Sequence, residues 1–305
     1  MVNATVEGGF YLMGFSQVQG ILIIHAMLFL GIYLAALMGN LLIITVTTLD
    51  HQLHTPMYFF LRNLSFIDLC LISVTIPRSI VNSLAGNTSI SYLACVFQVF
   101  FFLFFAFSEF VALTLMSYDR YMAICCPLHY ETTINDRVCA QMVVASWLSG
   151  GLFGMVHTTC TFSLTFCGPK LVHQFFCDVP PLLSISCVGA HDSEEVVIGI
   201  SVCLGAICFL SITVSYIRIF STVLKIPSTE GRSKAFSTCL PHLVVVTLFL
   251  STGTSAYVKP TSDIPSVLDL LLSVLYSVVP SVLNPIIYSL RNKEIRMAMR
   301  KMMMT

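Results

Sequence analysis

Seven stretches of this chain run about 20 residues or more with few charged side chains, and each is long enough to cross roughly 30 Å of hydrocarbon as a helix. They fall at 21–48, 56–83, 92–125, 138–161, 194–224, 233–258 and 266–290. Composition agrees: 56% of residues are hydrophobic, 10% are charged and the mean hydropathy is +0.88, where a soluble domain carries about 25% charged residues. The fold expected is all-α: a seven-transmembrane helix bundle embedded in a lipid bilayer. Residues 1–20 form an outer segment, 21–290 the seven-span body and 291–305 a tail. Residues 1–20 lack a basic start, a short apolar core and a small-residue cleavage site, so the first span is expected to act as signal anchor. The net charge is zero and no basic block stands out, which excludes a nucleic-acid partner.

Lys and Arg are retained on the cytoplasmic side of a membrane, and an odd number of spans puts the termini on opposite sides. With the N-terminus extracellular, the inner side holds Arg62, Arg120, Arg137, Arg218, Lys225, Arg232, Lys234, Arg291, Lys293, Arg296, Arg300 and Lys301, which is 12 of the 15 basic residues. The outer side holds Arg78, Lys170 and Lys259. This bias predicts a multi-pass plasma-membrane protein with its N-terminus outside. After the last span, Arg291 to Lys301 reads as a short amphipathic helix, with Ile295, Met299 and Met302 available to lie in the interface. Cys95, Cys167, Cys177 and Cys187 then face the oxidising side, where disulfides persist. Two bridges are expected, and three pairings are open. Sequons at Asn3 and Asn87 face outward, while Asn63 sits inside a span; Asn3 is the expected glycosylation site, because Asn87 lies in a tight loop near the membrane.

Asp68 and Glu109 are acids deep within the second and third spans, each costing several kcal/mol (about 3 on insertion scales) unless neutralised. Side by side, they would share a proton or hold a small cation such as sodium. Asn40, Ser281 and Asn284 could complete a hydrogen-bonded interior, a clustering that periodicity does not give. At the inner end of the third span, Asp119 and Arg120 stand at the water boundary, where charges serve as anchors or as switch parts. Enzymatic chemistry finds no support: His157, His173, His191 and His242 lack metal-ligand spacing, and no Ser or Cys has a nucleophile's sequence context. A transporter would show an internal repeat with two broken helices, and none is visible. A seven-span transporter or channel using the acids for conduction is the rival reading.

Seven strings occur in order: Gly39-Asn40-Leu-Leu, Pro56-Met-Tyr-Phe-Phe-Leu61, Leu64-Ser-Phe-Ile-Asp68, Met116 to Cys125 continuing through Pro127-Leu-His-Tyr130, Ser215-Tyr216-Ile, Lys234 to His242, and Pro280 to Asn292. Through them the chain, from about Phe10 to Lys301, resembles a vertebrate odorant receptor of the tetrapod-type class, a branch of the rhodopsin-like G-protein-coupled receptors. The resemblance implies a receptor that binds small volatile, mainly apolar molecules and activates a stimulatory, olfactory-type heterotrimeric G-protein to raise cyclic AMP. A chemoreceptor reading a metabolite outside the nose is the nearby alternative. Asp119 would hold Arg120 at rest, with Tyr121, Tyr216, His242, Asn284 and Tyr288 in the switch. Asp68 and Glu109 resemble a sodium-linked pair, sodium being the one cofactor implied. Cys95 would bridge to Cys177, and Cys167 to Cys187.

By the same resemblance the ligand cavity lies between the third, fifth, sixth and seventh spans, under the long loop 162–193. Helical spacing points to Phe102, Leu103, Ala106 and Phe107; to Val197, Ile200, Ser201 and Leu204; to Gly253, Thr254 and Tyr257; and to Val274 and Ser277. This lining is apolar with a few hydroxyls, as suits a weakly polar ligand. Tyr257 is expected to offer that ligand a polar contact. The seventh span has no lysine between Val267 and Leu290, which excludes a retinal Schiff base. The outer third span has no acid for a protonated amine.

Overall fold

The computed structural model describes residues 9–14, 18–167, 170–187, 192–258 and 267–303. Its helices are α1 (Gln19–Leu49), α2 (Pro56–Ala85), α3 (Tyr92–Cys125), α4 (Pro127–Thr133), α5 (Asp136–Ser163), α6 (Val179–Leu183), α7 (Asp192–Val223), α8 (Thr229–Val258), α9 (Val267–Ser277), α10 (Val279–Arg291) and α11 (Lys293–Met303). A 3₁₀ turn, His51–Leu53, joins α1 to α2. Six of these helices are long and apolar enough to cross a membrane singly, and α9 with α10 makes a seventh crossing bent by 41°. The expected unbroken seventh span is therefore corrected. Pro280 has no N–H for the carbonyl four residues back, and its ring crowds that turn, so the helix breaks at Val278.

Between α3 and α5 the backbones nearly touch. A Cβ on Gly150 would lie 2.0 Å from Ser108 Oγ and 2.5 Å from the Phe104 carbonyl oxygen, and one on Gly154 2.9 Å from the Phe100 carbonyl oxygen. In lipid, where apolar burial gives helices little reason to associate, small residues four apart permit the close approach that does. Ser108 Oγ donates to the Ser146 carbonyl at 3.2 Å across this seam. On the next seam, Trp147 Nε1 donates to Asn63 Oδ1 at 2.9 Å, joining α5 to α2. The first and last spans are joined through a proline. Pro285 cannot bond the Ser281 carbonyl, and Asn40 Nδ2 of α1 donates to it instead at 2.9 Å, while bonding its own helix at the Ala36 carbonyl at 3.0 Å.

Above the spans lies a small sheet of β1 (Phe10–Leu12), β2 (Ser89–Ile90) and β3 (Leu171–Val172), in the order β2-β1-β3. β1 pairs antiparallel with β2, Phe10 opposite Ile90, and parallel with β3, Tyr11 opposite Leu171. Phe10 is buried, its ring 5.2 Å from Phe166 and 6.2 Å from Tyr92. Cys95 is bonded to Cys177 and Cys167 to Cys187, the pairing the resemblance implied. At the other end, α11 turns back along the bundle. Ile295 is fully buried, Ala298 is buried and Met299 and Met302 are half-buried, so Ile295 packs on protein rather than in the lipid interface as expected. Tyr58 of α2 fixes this helix by hydrogen bonds to the Glu294 carboxylate and, at 3.2 Å, to Asn292 Oδ1.

Candidate functional site

At the inner end, α3 presents Asp119 and Arg120 in different directions. Neighbours in a helix sit about 100° apart and do not face each other. Asp119 Oδ1 accepts a hydrogen bond from the Tyr130 hydroxyl of α4 at 2.8 Å, and among the described residues no ion pair joins Asp119 to Arg120. The hydrogen-bond partner of Asp119 is thus Tyr130, while Arg120 acts on Asp119 through its charge alone. Burial, reinforced by the Asp119 charge, holds the Tyr130 hydroxyl well above its ordinary pKa, which keeps it a donor. Arg120 is buried and lies within electrostatic reach of Tyr58, Tyr216, Cys239, His242 and Tyr288. Next to it, His242 bonds the Leu113 carbonyl through Nε2 at 3.0 Å and the Tyr216 hydroxyl through Nδ1 at 2.7 Å. A carbonyl only accepts, so in the neutral ring the proton sits on Nε2 and Tyr216 donates to Nδ1. One imidazole thereby ties α3, α7 and α8. Tyr288 is buried here with no hydrogen-bond partner for its hydroxyl among the described residues. Tyr121 stands instead beside Tyr118, ring centroids 6.4 Å apart.

In the middle of the bundle, Asn284 of α10 brings the two acids together. Its Nδ2 lies 3.0 Å and 3.3 Å from the Asp68 carboxylate oxygens and 3.3 Å from Glu109 Oε1. All three residues are buried. Glu109 Oε2 and Asn284 Oδ1 have no hydrogen-bond partner there. A small hard cation fits such a set: its donors are oxygens, two carry charge, and two buried acceptors stand unfilled. Among the described residues no three His, Cys, Asp or Glu gather as a metal site.

The outer half departs further from the expected lining. Phe102 does face inward, 4.9 Å from the Phe176 ring of the long loop and 5.8 Å from Tyr276 of α9, and Leu103 is buried beside it, with Ala106 half-buried one turn below. Phe107 turns toward α5, stacked on Phe153 at 4.2 Å. On α7, Val197 is half-buried, whereas Ile200 (54% exposed) and Leu204 (38%) stand to one side of the stripe that runs through half-buried Ser201, Gly205 and Cys208 to buried Ile212. The Ser201 hydroxyl donates to the Val197 carbonyl at 2.8 Å and meets His157 Nε2 of α5 at 2.6 Å, joining α7 to α5. Thr254 is exposed and Gly253 half-buried, and the side chain of Tyr257 lies outside the described residues, as does Asn3. Val274 is half-buried, while the buried Ser277 hydroxyl donates to its own helix at Ser273.

The polar groups at the outer end are ones that spacing alone missed. The Tyr276 hydroxyl bonds the buried Asp178 carboxylate, with Gln174 Oε1 at 3.2 Å. Gln98 of α3 donates to the Val74 carbonyl and accepts from the Cys177 N–H, both at 2.9 Å. Loop, disulfide and three helices are thus pinned together above Phe102. Gln98 was findable as the one amide in an aromatic run; Tyr276, on α9 between the expected Val274 and Ser277, was not, because its partners Gln174 and Asp178 lie on the long loop, whose path spacing does not give.

A protein-family model described as olfactory receptor matches residues 29–305. Human olfactory receptor 14A16 is 58% identical over 299 residues, covering 98% of this chain and 96% of that protein, and human olfactory receptor 14J1 is 54% identical over 303 residues, covering 99% and 94%. Among solved structures, squid rhodopsin aligns with a TM-score of 0.76 over 94% of this chain and 82% of its own, at 19% identity, a likeness of fold. With a buried arginine at the inner end of α3, a disulfide-pinned loop over an aromatic outer half and near full-length identity to these relatives, the chain belongs to the olfactory receptor family.

Proposed function

We propose that this olfactory receptor, which binds small molecules and couples to a G-protein as its family does, signals through the stimulatory olfactory type and raises cyclic AMP from the plasma membrane, its N-terminus outside. The observation that carries the reading is Arg120, buried at the inner end of α3 within reach of tyrosines from α2, α7 and α10. Outward movement of α8 would part His242 from Tyr216 and open the arginine to the G-protein. The odorant would sit beneath the long loop, against Phe102, Leu103 and Ala106, with Tyr257 offering a hydroxyl. Sodium between Asp68 and Glu109 would supply positive charge to two desolvated carboxylates, and Asn284 would orient them. The chain's own residues do the rest: they bind, orient and switch.

The experiment is an odorant panel in cells carrying a cyclic AMP reporter, run beside Arg120→Ala. An agonist should raise cyclic AMP in the native receptor, and the variant should reach the surface yet give no response. Full signalling by the variant, or agonist-driven ion flux without cyclic AMP, would overturn the reading.

A further inference from the structure

On the side opposite the outer sheet, the last turn of α1, the His51–Leu53 turn and the first turns of α2 and α5 surround a cavity of about 320 Å³. Leu53 and Phe59 make its wall partly apolar, and Thr47 and His54 add polar atoms. It also holds two opposite charges, Arg62 from α2 and Asp136 from α5. They do not neutralise each other: among the described residues no ion pair joins them. Arg62 makes one hydrogen bond, Nη1 to Thr48 Oγ1 at 3.4 Å, and lies over the Phe59 ring, 5.4 Å from its centroid. A guanidinium has five N–H donors, so the bond to Thr48 leaves most of them without a protein partner among the described residues. Asp136 is exposed in the first turn of α5.

An acid and a base held apart across one small cavity fit a ligand that carries both charges. The depth narrows the choice. Arg62 lies six residues into the 30-residue α2 that begins at Pro56, about 9 Å along the axis; centred on a hydrocarbon layer of about 30 Å, a helix of that length has about 7 Å of each end outside it, which brings Arg62 near the boundary with the headgroups. We propose that this cavity receives the headgroup of a phosphatidylethanolamine from the cytoplasmic leaflet, with the phosphate on Arg62 and the ammonium on Asp136. A guanidinium matches phosphate oxygens two at a time. The primary ammonium donates three hydrogen bonds, one to the carboxylate and another to the Thr47 hydroxyl, whose own proton is committed to the Ile43 carbonyl at 2.7 Å and whose lone pair is left to accept. A trimethylammonium donates none, so phosphatidylcholine is the matched control. This site lies apart from the odorant and G-protein readings and does not depend on them.

The test uses the full receptor in nanodiscs of equal parts phosphatidylethanolamine and phosphatidylcholine, followed by native mass spectrometry. The receptor should retain one phosphatidylethanolamine in preference to phosphatidylcholine by about tenfold, and Arg62→Gln and Asp136→Asn should each cut that retention by about tenfold. Monodisperse elution of each variant is the check on folding. Asp136→Asn changes an exposed side chain at a helix start, so it carries the test should Arg62→Gln fail to fold. Equal retention of the two lipids, or undiminished phosphatidylethanolamine in folded Asp136→Asn, would overturn the proposal. In a second set of discs of equal parts phosphatidylethanolamine and phosphatidylglycerol, a preference for phosphatidylglycerol, which has the phosphate and no ammonium, would mark a simple anion site and also overturn the proposal.

Discussion

His242 carries three helices on one ring, and its replacement has a definite cost. In His242→Phe the Tyr216 hydroxyl is left buried without its acceptor, which costs about 1 to 3 kcal/mol; a thermal unfolding assay in nanodiscs should show a lower midpoint than for the native receptor. Restoring the midpoint by adding Tyr216→Phe would confirm that the loss belongs to the orphaned hydroxyl, and an unchanged midpoint in the single variant would remove His242 from the structural role. A second residue-scale expectation concerns the acids. If sodium binds between Asp68 and Glu109, replacing potassium by sodium should stabilise the native receptor by about 2.7 kcal/mol at a hundredfold excess over Kd and so raise its midpoint, and Glu109→Gln should abolish the sodium response. Equal sodium sensitivity in both proteins would exclude that site. The acids themselves were legible in the sequence, because charge inside an apolar stretch stands out. Their bridge, Asn284 Nδ2, was expected only as part of a hydrogen-bonded interior and of the switch, since nothing in linear spacing places α10 between α2 and α3. The pairing of Asp119 with Tyr130 was likewise hidden: it depends on α4, a short helix behind Pro127 that no apolar stretch announces.

Among the elements, β1 rests on a glycine. A Cβ at Gly9 would stand 1.9 Å from the Ile90 carbonyl oxygen, whereas one at Gly20 meets nothing within 4 Å. Gly9→Ala should therefore break the register of β1 with β2 and lower surface delivery several-fold by flow cytometry, while Gly20→Ala, in an exposed helix turn, should leave delivery unchanged or slightly better. Equal delivery of the two variants would show that the sheet is dispensable. The six unbroken spans were readable to within a few residues, because twenty apolar residues in a row admit little else. The sheet was not, for its strands are two or three residues long and carry no alternation to detect. The closeness of α3 and α5 also escaped spacing arguments, although Gly150 and Gly154 stand four apart; what makes them informative is the helix across from them. On α7 the expected lining sat one position off the stripe through Ser201 and Gly205 at Ile200 and Leu204, and a shift of one residue turns a helix by about 100°.

The whole molecule is closed at its outer end by covalent bonds and at its inner end by hydrogen bonds. Cys95→Ser or Cys177→Ser frees the long loop from α3 and removes a bridge worth about 2 to 5 kcal/mol, so either variant should be retained in the endoplasmic reticulum, as glycan trimming assays would reveal. Normal surface levels of both would show that Gln98 and Tyr276 suffice to hold the loop. The small sheet imposes a further condition, one of time. Phe10–Leu12 is among the first segments to be synthesised, yet its partner Leu171–Val172 follows roughly 160 residues later, about 8 to 32 s at ordinary rates of chain growth. Both edges of the central strand are open until Ser89–Ile90 is made, and one stays open from then until Leu171–Val172 follows, with Phe10 lacking the ring of Phe166. Four spans precede Leu171–Val172, so the first strand can finish pairing only once the fourth has been made, and a chaperone that shields the early strand would act before that point and be released after it.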